Sequence, residues 1–179
     1  MDPLAFHRES LAVAQRVVDG IDRSQFDLPT PCDEWNVRQV LEHIIGGNRR
    51  IAGNAPAVGE DVIGDDLSAA YAGSAAGSLV SFSADGAMDR LFMLSIGEVP
   101  GGFAVLARST DQLAHAWDLA RATGASTDLS PALYTAALEV LQERFATRGR
   151  NYKSYAEEKV PPDDATAADR FAAFAGRRA

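Results

Sequence analysis

The stretch TDQLAHAWDLARATG, residues 110–124, sets Asp111 and His115 four residues apart, with Trp117 and Asp118 beside them. On a helix, residues four apart lie one above the other on the same face. A carboxylate and an imidazole stacked in this way make a surface ion pair, a buried hydrogen-bonded pair, or two ligands of one metal ion. A third candidate is His43 in VLEHIIGGNRR, at the edge of the apolar stripe of Val37, Val40, Leu41, Ile44 and Ile45. Two imidazole nitrogens and one carboxylate oxygen recur as the donor set of a divalent ion such as zinc, with positions left for water or substrate. The same residue types also make plain salt bridges and hydrogen-bonded core histidines, so residue type alone leaves these readings open.

The neighbours of these three refine the expectation. Gly46 and Gly47 remove side chains from the turn above His43. Glycine inside a helix costs roughly 1 kcal/mol relative to alanine, so a pair of them points to close approach of a helix or a ligand. Asp118, three residues after His115, has two readings of equal weight. It accepts the second ring N–H of His115, or it pairs with Arg121 or Arg38. His7 shares the apolar stripe of Leu4 and Leu11, and is read first as a satisfied core histidine and second as a pocket residue. Cys32 precedes Asp33 and Glu34, whose charges raise a thiol pKa, and is read as packing against Trp35.

The elements that must hold these residues are helices. Apolar residues at helical spacing predict helices over 4–22, from the Asn36 cap to about residue 54, over 66–84, from near Phe103 to Gly124, from Ser130–Pro131 to about residue 147, and over 164–175. Asn36 and Gln39 stand at the capping-box offset. Pro29 and Pro31 keep 24–35 a loop. Residues 85–101, with MDRLFMLSIG, read as a short strand or a buried connector. Helices joined mostly by short loops imply a bundle, and the 179 residues read as one domain;.

Composition narrows the function classes. The chain carries 25 acidic and 17 basic residues, for a net charge of −8. That balance argues against nucleic acid, which needs a concentrated basic patch. No apolar run reaches the length of a membrane span and no signal-peptide pattern opens the chain. The single cysteine excludes an intrachain disulfide and suits a reducing cytoplasm. There is no Ser/His/Asp spacing, no Gly-rich phosphate loop and no CxxC pair, which argues against triad hydrolysis, nucleotide binding and dithiol redox chemistry.

Three segments carry a family resemblance: TPCDEWNVRQVLEHIIGG, DQLAHAWDLARATG and PPDDATAADRFAAFAGR. With them the chain resembles the DinB-like bundle superfamily, and within it the mycothiol-dependent maleylpyruvate isomerase N-terminal type of metal-binding protein. The resemblance implies an all-α, up-down four-helix bundle with short additional helices. It implies one divalent metal, zinc first with nickel or iron as alternatives, held by His43, Asp111 and His115. Asp111 stands where those isomerases carry glutamate, one methylene longer. Asp118, Gly47, His7 and Arg38 are then expected around the ion or its pocket.

Two functions follow as expectations. In the first, a low-molecular-weight thiol is the cosubstrate of an S-transferase or isomerase acting on a small electrophile, and Arg38 or Arg108 steers an anionic substrate. In the second, the chain is a non-catalytic metal- or small-molecule-binding protein of a stress response. The sequence is read as lacking the added C-terminal domain of full-length maleylpyruvate isomerases, so an electrophile other than maleylpyruvate is expected. A homodimer is compatible with either reading.

Overall fold

The computed structural model describes residues 2–32, 35–150 and 155–178. The Asp33–Glu34 pair, on which the reading of the Cys32 thiol leaned, lies outside them.

Among the described residues, six α-helices and one hairpin appear in the order α1 (Pro3–Val18), α2 (Val37–Ile51), α3 (Leu67–Ser83), β1 (Leu91–Leu94), β2 (Gly97–Pro100), α4 (Gly101–Thr123), α5 (Pro131–Arg148) and α6 (Ala167–Phe174). Local chemistry explains most of the boundaries. The α2 capping box forms as expected: Gln39 N donates to Asn36 Oδ1 and Asn36 N donates to Gln39 Oε1, both at 3.0 Å;. Gly124 ends α4 in the left-handed region at φ 74°;. Pro131 opens α5, but Ser130 makes no side-chain cap bond, so the proline's fixed φ and tertiary contacts set that start;.

The expected four-helix bundle is formed by α1, α2, α3 and α4. The packed pairs are α1 with α4, α1 with α3, α2 with α3, and α2 with α4. This order brings α2 against α4, the two helices that carry the candidate site. On its other side α4 meets α5 and α6. From Arg108 to Ala120 it is therefore buried almost all round. Within that run Asp111 alone keeps partial exposure, and polar Ser109, Thr110, Gln112, His115 and Asp118 are all inside. A helix covered on every side has no solvated face to carry its charges, so each buried polar group needs a named partner.

Residues 91–100 are a hairpin rather than a connector, paired antiparallel from Leu91–Pro100 to Leu94–Gly97. Phe92 and Val99 face inward onto Phe82, Ala104 and Val105, a second small core beside the main one. Helix α4 begins at Gly101, directly after the hairpin and earlier than Phe103. Gly101 is needed there because a Cβ would stand only 1.9 Å from the Ala87 carbonyl oxygen;.

Candidate metal centre

Helix packing brings together the three donors that the spacing singled out. His43 comes from α2, and Asp111 and His115 come from successive turns of α4. One ligand atom from each lies within 4.8 Å of the other two. His43 Nε2 is 3.4 Å from Asp111 Oδ1 and 3.3 Å from Oδ2, and His115 Nε2 is 3.6 Å from Oδ1. These separations exceed the 2.7–3.2 Å range typical of N–H···O bonds. They match the roughly 3.3–3.6 Å edges between donors on a tetrahedral ion with bonds of about 2.0–2.2 Å. The donor set and its spacing fit a divalent metal.

His115 is oriented from behind. His115 Nδ1 lies 3.0 Å from Asp118 Oδ2, which favours the proton on Nδ1 and leaves the Nε2 lone pair facing His43 and Asp111;. Both readings of Asp118 thus hold in part, but the cation paired with it is neither Arg121 nor Arg38. It is Arg177, after α6, with Nη2 3.1 Å from Oδ2 and Nε 3.3 Å from Oδ1. Trp35, from the loop before α2, packs its ring on both imidazoles, with centroids 4.6 Å from His43 and 5.6 Å from His115. The Cys32 sulfur joins His115 and Asp118 in a second group of atoms within 4.8 Å. The thiol therefore lies beside His115 and Asp118.

Burial and charge divide the two imidazoles. Burial lowers the His43 pKa, against the pull of the Asp111 carboxylate. At His115 burial also opposes the charged ring, but Asp111 and Asp118 together override it and hold the pKa above its usual value;. Asp111 is held well below the carboxylate range. Its burial works the other way and is overcome by His43, Arg108 and His115.

His43 and Asp111 open on a cavity of about 250 Å³. Its walls include Gly46, Gly47 and Arg50 of α2, Arg108 of α4, the hairpin turn Leu94–Ile96, and Arg144 and Tyr155. The expectation for Gly47 takes a specific form here, and those for Arg108 and Arg38 change. Gly47 makes room for Arg108: a Cβ on it would stand 2.7 Å from the guanidinium carbon and both terminal nitrogens. Arg108 is itself only 6% exposed and spends its charge on Asp111, at 2.6 Å, so it is part of the site's frame. Arg38 is outside the cavity, pairs with Glu42 and lies over the Phe26 ring.

His7 is not in the cavity wall either. It is fully buried, with Nδ1 3.1 Å from Ser109 Oγ and Nε2 3.0 Å from Ser78 Oγ. The Ser109 hydroxyl already donates to the Val105 carbonyl, so His7 Nδ1 donates to Ser109 and Nε2 accepts from Ser78;. Sequence reasoning missed Arg177, Trp35, Arg50 and Arg144. Trp35 had a signal in its place one residue before the α2 cap, and Arg50 in its place two turns after His43 on the same helix; Arg144 and Arg177 are brought in from distant segments with none.

The profile of the mycothiol maleylpyruvate isomerase N-terminal domain matches residues 7–120, a span that contains all three donors. An uncharacterized protein of Mycobacterium tuberculosis, present in strains CDC 1551 and H37Rv, is 39% identical over 182 residues, covering 99% of this chain and 98% of its own. The crystal structure of the mycothiol-dependent maleylpyruvate isomerase superposes with a TM-score of 0.59 at 19% identity, over 76% of this chain and 66% of that one. A histidine-to-alanine mutant of that isomerase gives 0.57 at 17% identity, with the same coverage. At such identities the likeness is one of fold, and the chain spans just under two thirds of the isomerase. The profile match and the relative in Mycobacterium tuberculosis together show that the chain belongs to the mycothiol maleylpyruvate isomerase N-terminal domain family.

Proposed function

We propose that this protein binds one divalent ion, zinc in the first place with nickel or iron as alternatives, through His43 Nε2, Asp111 Oδ1 and His115 Nε2, and uses it to transfer or isomerise with a low-molecular-weight thiol of the mycothiol class. One observation carries the reading. Three donors at metal-like separations meet where a cavity opens, and the far nitrogen of His115 is already tied to Asp118. When bound, such an ion supplies the Lewis acidity that keeps a thiol as its nucleophilic thiolate near neutral pH.

The chain's own residues do the rest. Asp118 holds His115 in the tautomer with its proton on Nδ1 and the lone pair on Nε2;. Trp35 covers the imidazoles and keeps water from that side. Arg50 and Arg144 line the cavity wall, and Arg144 is braced over the Phe103 and Tyr155 rings, 5.0 and 5.5 Å from their centroids. Two guanidinium groups there favour an anionic electrophile.

Metal analysis of untagged protein, purified without chelator, tests the site. About one ion per chain is expected, with loss in the His43→Ala/His115→Ala double variant. Retained metal in that variant removes the assignment. Thiol-dependent conjugation of a chlorobimane tests the activity.

A second reading has its own support. Arg108 Nη1 lies 2.6 Å from Asp111 Oδ2 and neutralises the carboxylate without any ion. A protein that binds metal or small molecules but conjugates no electrophile would be a non-catalytic binder.

A further inference from the structure

The Asp111 carboxylate is divided between two neighbours. Oδ1 lies 3.4 and 3.6 Å from the Nε2 atoms of His43 and His115, while Oδ2, itself 3.3 Å from His43 Nε2, accepts Arg108 Nη1 at 2.6 Å. Arg108 is tethered in this place. Its Nη2 donates to the Ile44 carbonyl at 3.3 Å and to Asn48 Oδ1 at 3.1 Å. Asn48 Oδ1 also accepts Gln112 Nε2 at 2.8 Å, and Gln112 Oε1 accepts the Tyr71 hydroxyl at 2.9 Å. The guanidinium is thus anchored to a buried network that runs back into the bundle core. Helix α2 gives it room only because residue 47 is glycine.

Burying a guanidinium is costly unless its donors are used. Arg108 Nε is the one buried side-chain nitrogen or oxygen without a hydrogen-bond partner among the described residues. The cation is therefore not placed where its own hydrogen bonding is complete. What its position does accomplish is to hold one oxygen of Asp111. Resting on the metal reading above, we propose that Arg108 is a positioning residue. By taking Oδ2 it confines Asp111 to one-oxygen ligation through Oδ1, and so keeps a coordination position open to the cavity for a thiol. Lysine would not replace it, because a single ammonium cannot span Asp111 and Asn48 as the planar fork does.

Cobalt(II)-loaded protein tests this with N-acetylcysteine as the thiol probe. The parent should take up cobalt and develop sulfur-to-cobalt absorption near the ultraviolet as thiol is added. Arg108→Met should still take up cobalt. Its visible d–d absorption should weaken as both Asp111 oxygens approach the ion, and its thiol Kd should rise about tenfold or more, the usual scale for losing a group that orients a ligand. Gly47→Ala keeps the arginine but displaces its guanidinium, the far end of a flexible side chain, and should move both readouts the same way. Far-UV circular dichroism reports folding, and Gly47→Ala decides the matter where Arg108→Met does not fold. A parent that binds cobalt, with variants of unchanged spectrum and thiol affinity, overturns the role of Arg108 alone. A parent that takes up no cobalt overturns the metal reading and this inference with it.

Discussion

Arg177 clamps the Asp118 carboxylate with two donors, Nη2 to Oδ2 at 3.1 Å and Nε to Oδ1 at 3.3 Å, and Asp118 is fully buried. The clamp links the segment after α6 to the helix that carries the site. Removing one partner of a buried pair leaves a charge without compensation, at about 3–5 kcal/mol. Arg177→Met should fall near the lower end, since His115 still faces Asp118. Asp118→Asn in the same background should recover part of the loss. Urea unfolding of the parent and the two variants measures both, and an Arg177→Met protein as stable as the parent would show that the pair carries no net stability.

Metal uptake should release protons. The two carboxylates raise the His115 pKa above 6.5, whereas burial lowers that of His43. At pH 6.5 the metal-free protein therefore carries a proton on more than half of the His115 rings and on fewer than half of the His43 rings. A ligand nitrogen must be unprotonated to bind, so metal uptake should release protons at that pH. Affinity should rise with pH until His115 has titrated. Calorimetry in buffers of different ionisation enthalpy counts the protons, and a count of zero would contradict the charge assigned to His115.

His7 should make the fold acid-sensitive. Burial, with a smaller push from Arg108, lowers its pKa from 6.5 to about 3. Between those values the unfolded chain binds a proton that the native state refuses, so stability falls as pH drops from about 6.5 toward 3. By pH 4.5 the loss from this one group is roughly 2–3 kcal/mol. Denaturant titrations at pH 7 and pH 4.5 should show a smaller difference for His7→Gln than for the parent. Equal differences would mean that other groups dominate the acid response.

Gly101 and Gly102 should respond oppositely to alanine. Alanine is the better helix former by about 1 kcal/mol. At residue 102 the nearest atom to an added Cβ is the Met88 carbonyl oxygen at 3.8 Å, so Gly102→Ala should be neutral or stabilising. At residue 101 the clash with the Ala87 carbonyl at 1.9 Å forces the backbone apart, and overpacking of this kind costs about 1–3 kcal/mol or more;. Thermal unfolding of the two variants side by side should rank them in that order. A Gly101→Ala protein that melts at or above the parent temperature would mean that the hairpin yields cheaply.

Much of the helical framework was legible because its signals are local. Apolar spacing placed every helix to within a few residues, and the Asn36–Gln39 and Pro131 signals act over a single turn. The hairpin at 91–100 was harder to read. Its strands have four residues each, too few for alternation to stand out, and exposed Leu91 and Met93 blur the pattern further.

For the site, the sequence by itself determined which side chains can act together along one helix. Asp111, His115 and Asp118 are joined by the helical repeat, and any folding of α4 as a helix puts them on neighbouring turns. Only the tertiary structure decided what meets them. His43 reaches Asp111 across 68 positions, Arg177 reaches Asp118 across 59, and Arg108 reaches Asn48 across 60. Such contacts depend on which helices pack and at what rotation, which local periodicity does not encode. Gly47 shows the difference most clearly: the sequence marks a missing side chain, and the packing of α2 on α4 supplies the guanidinium that fills the space.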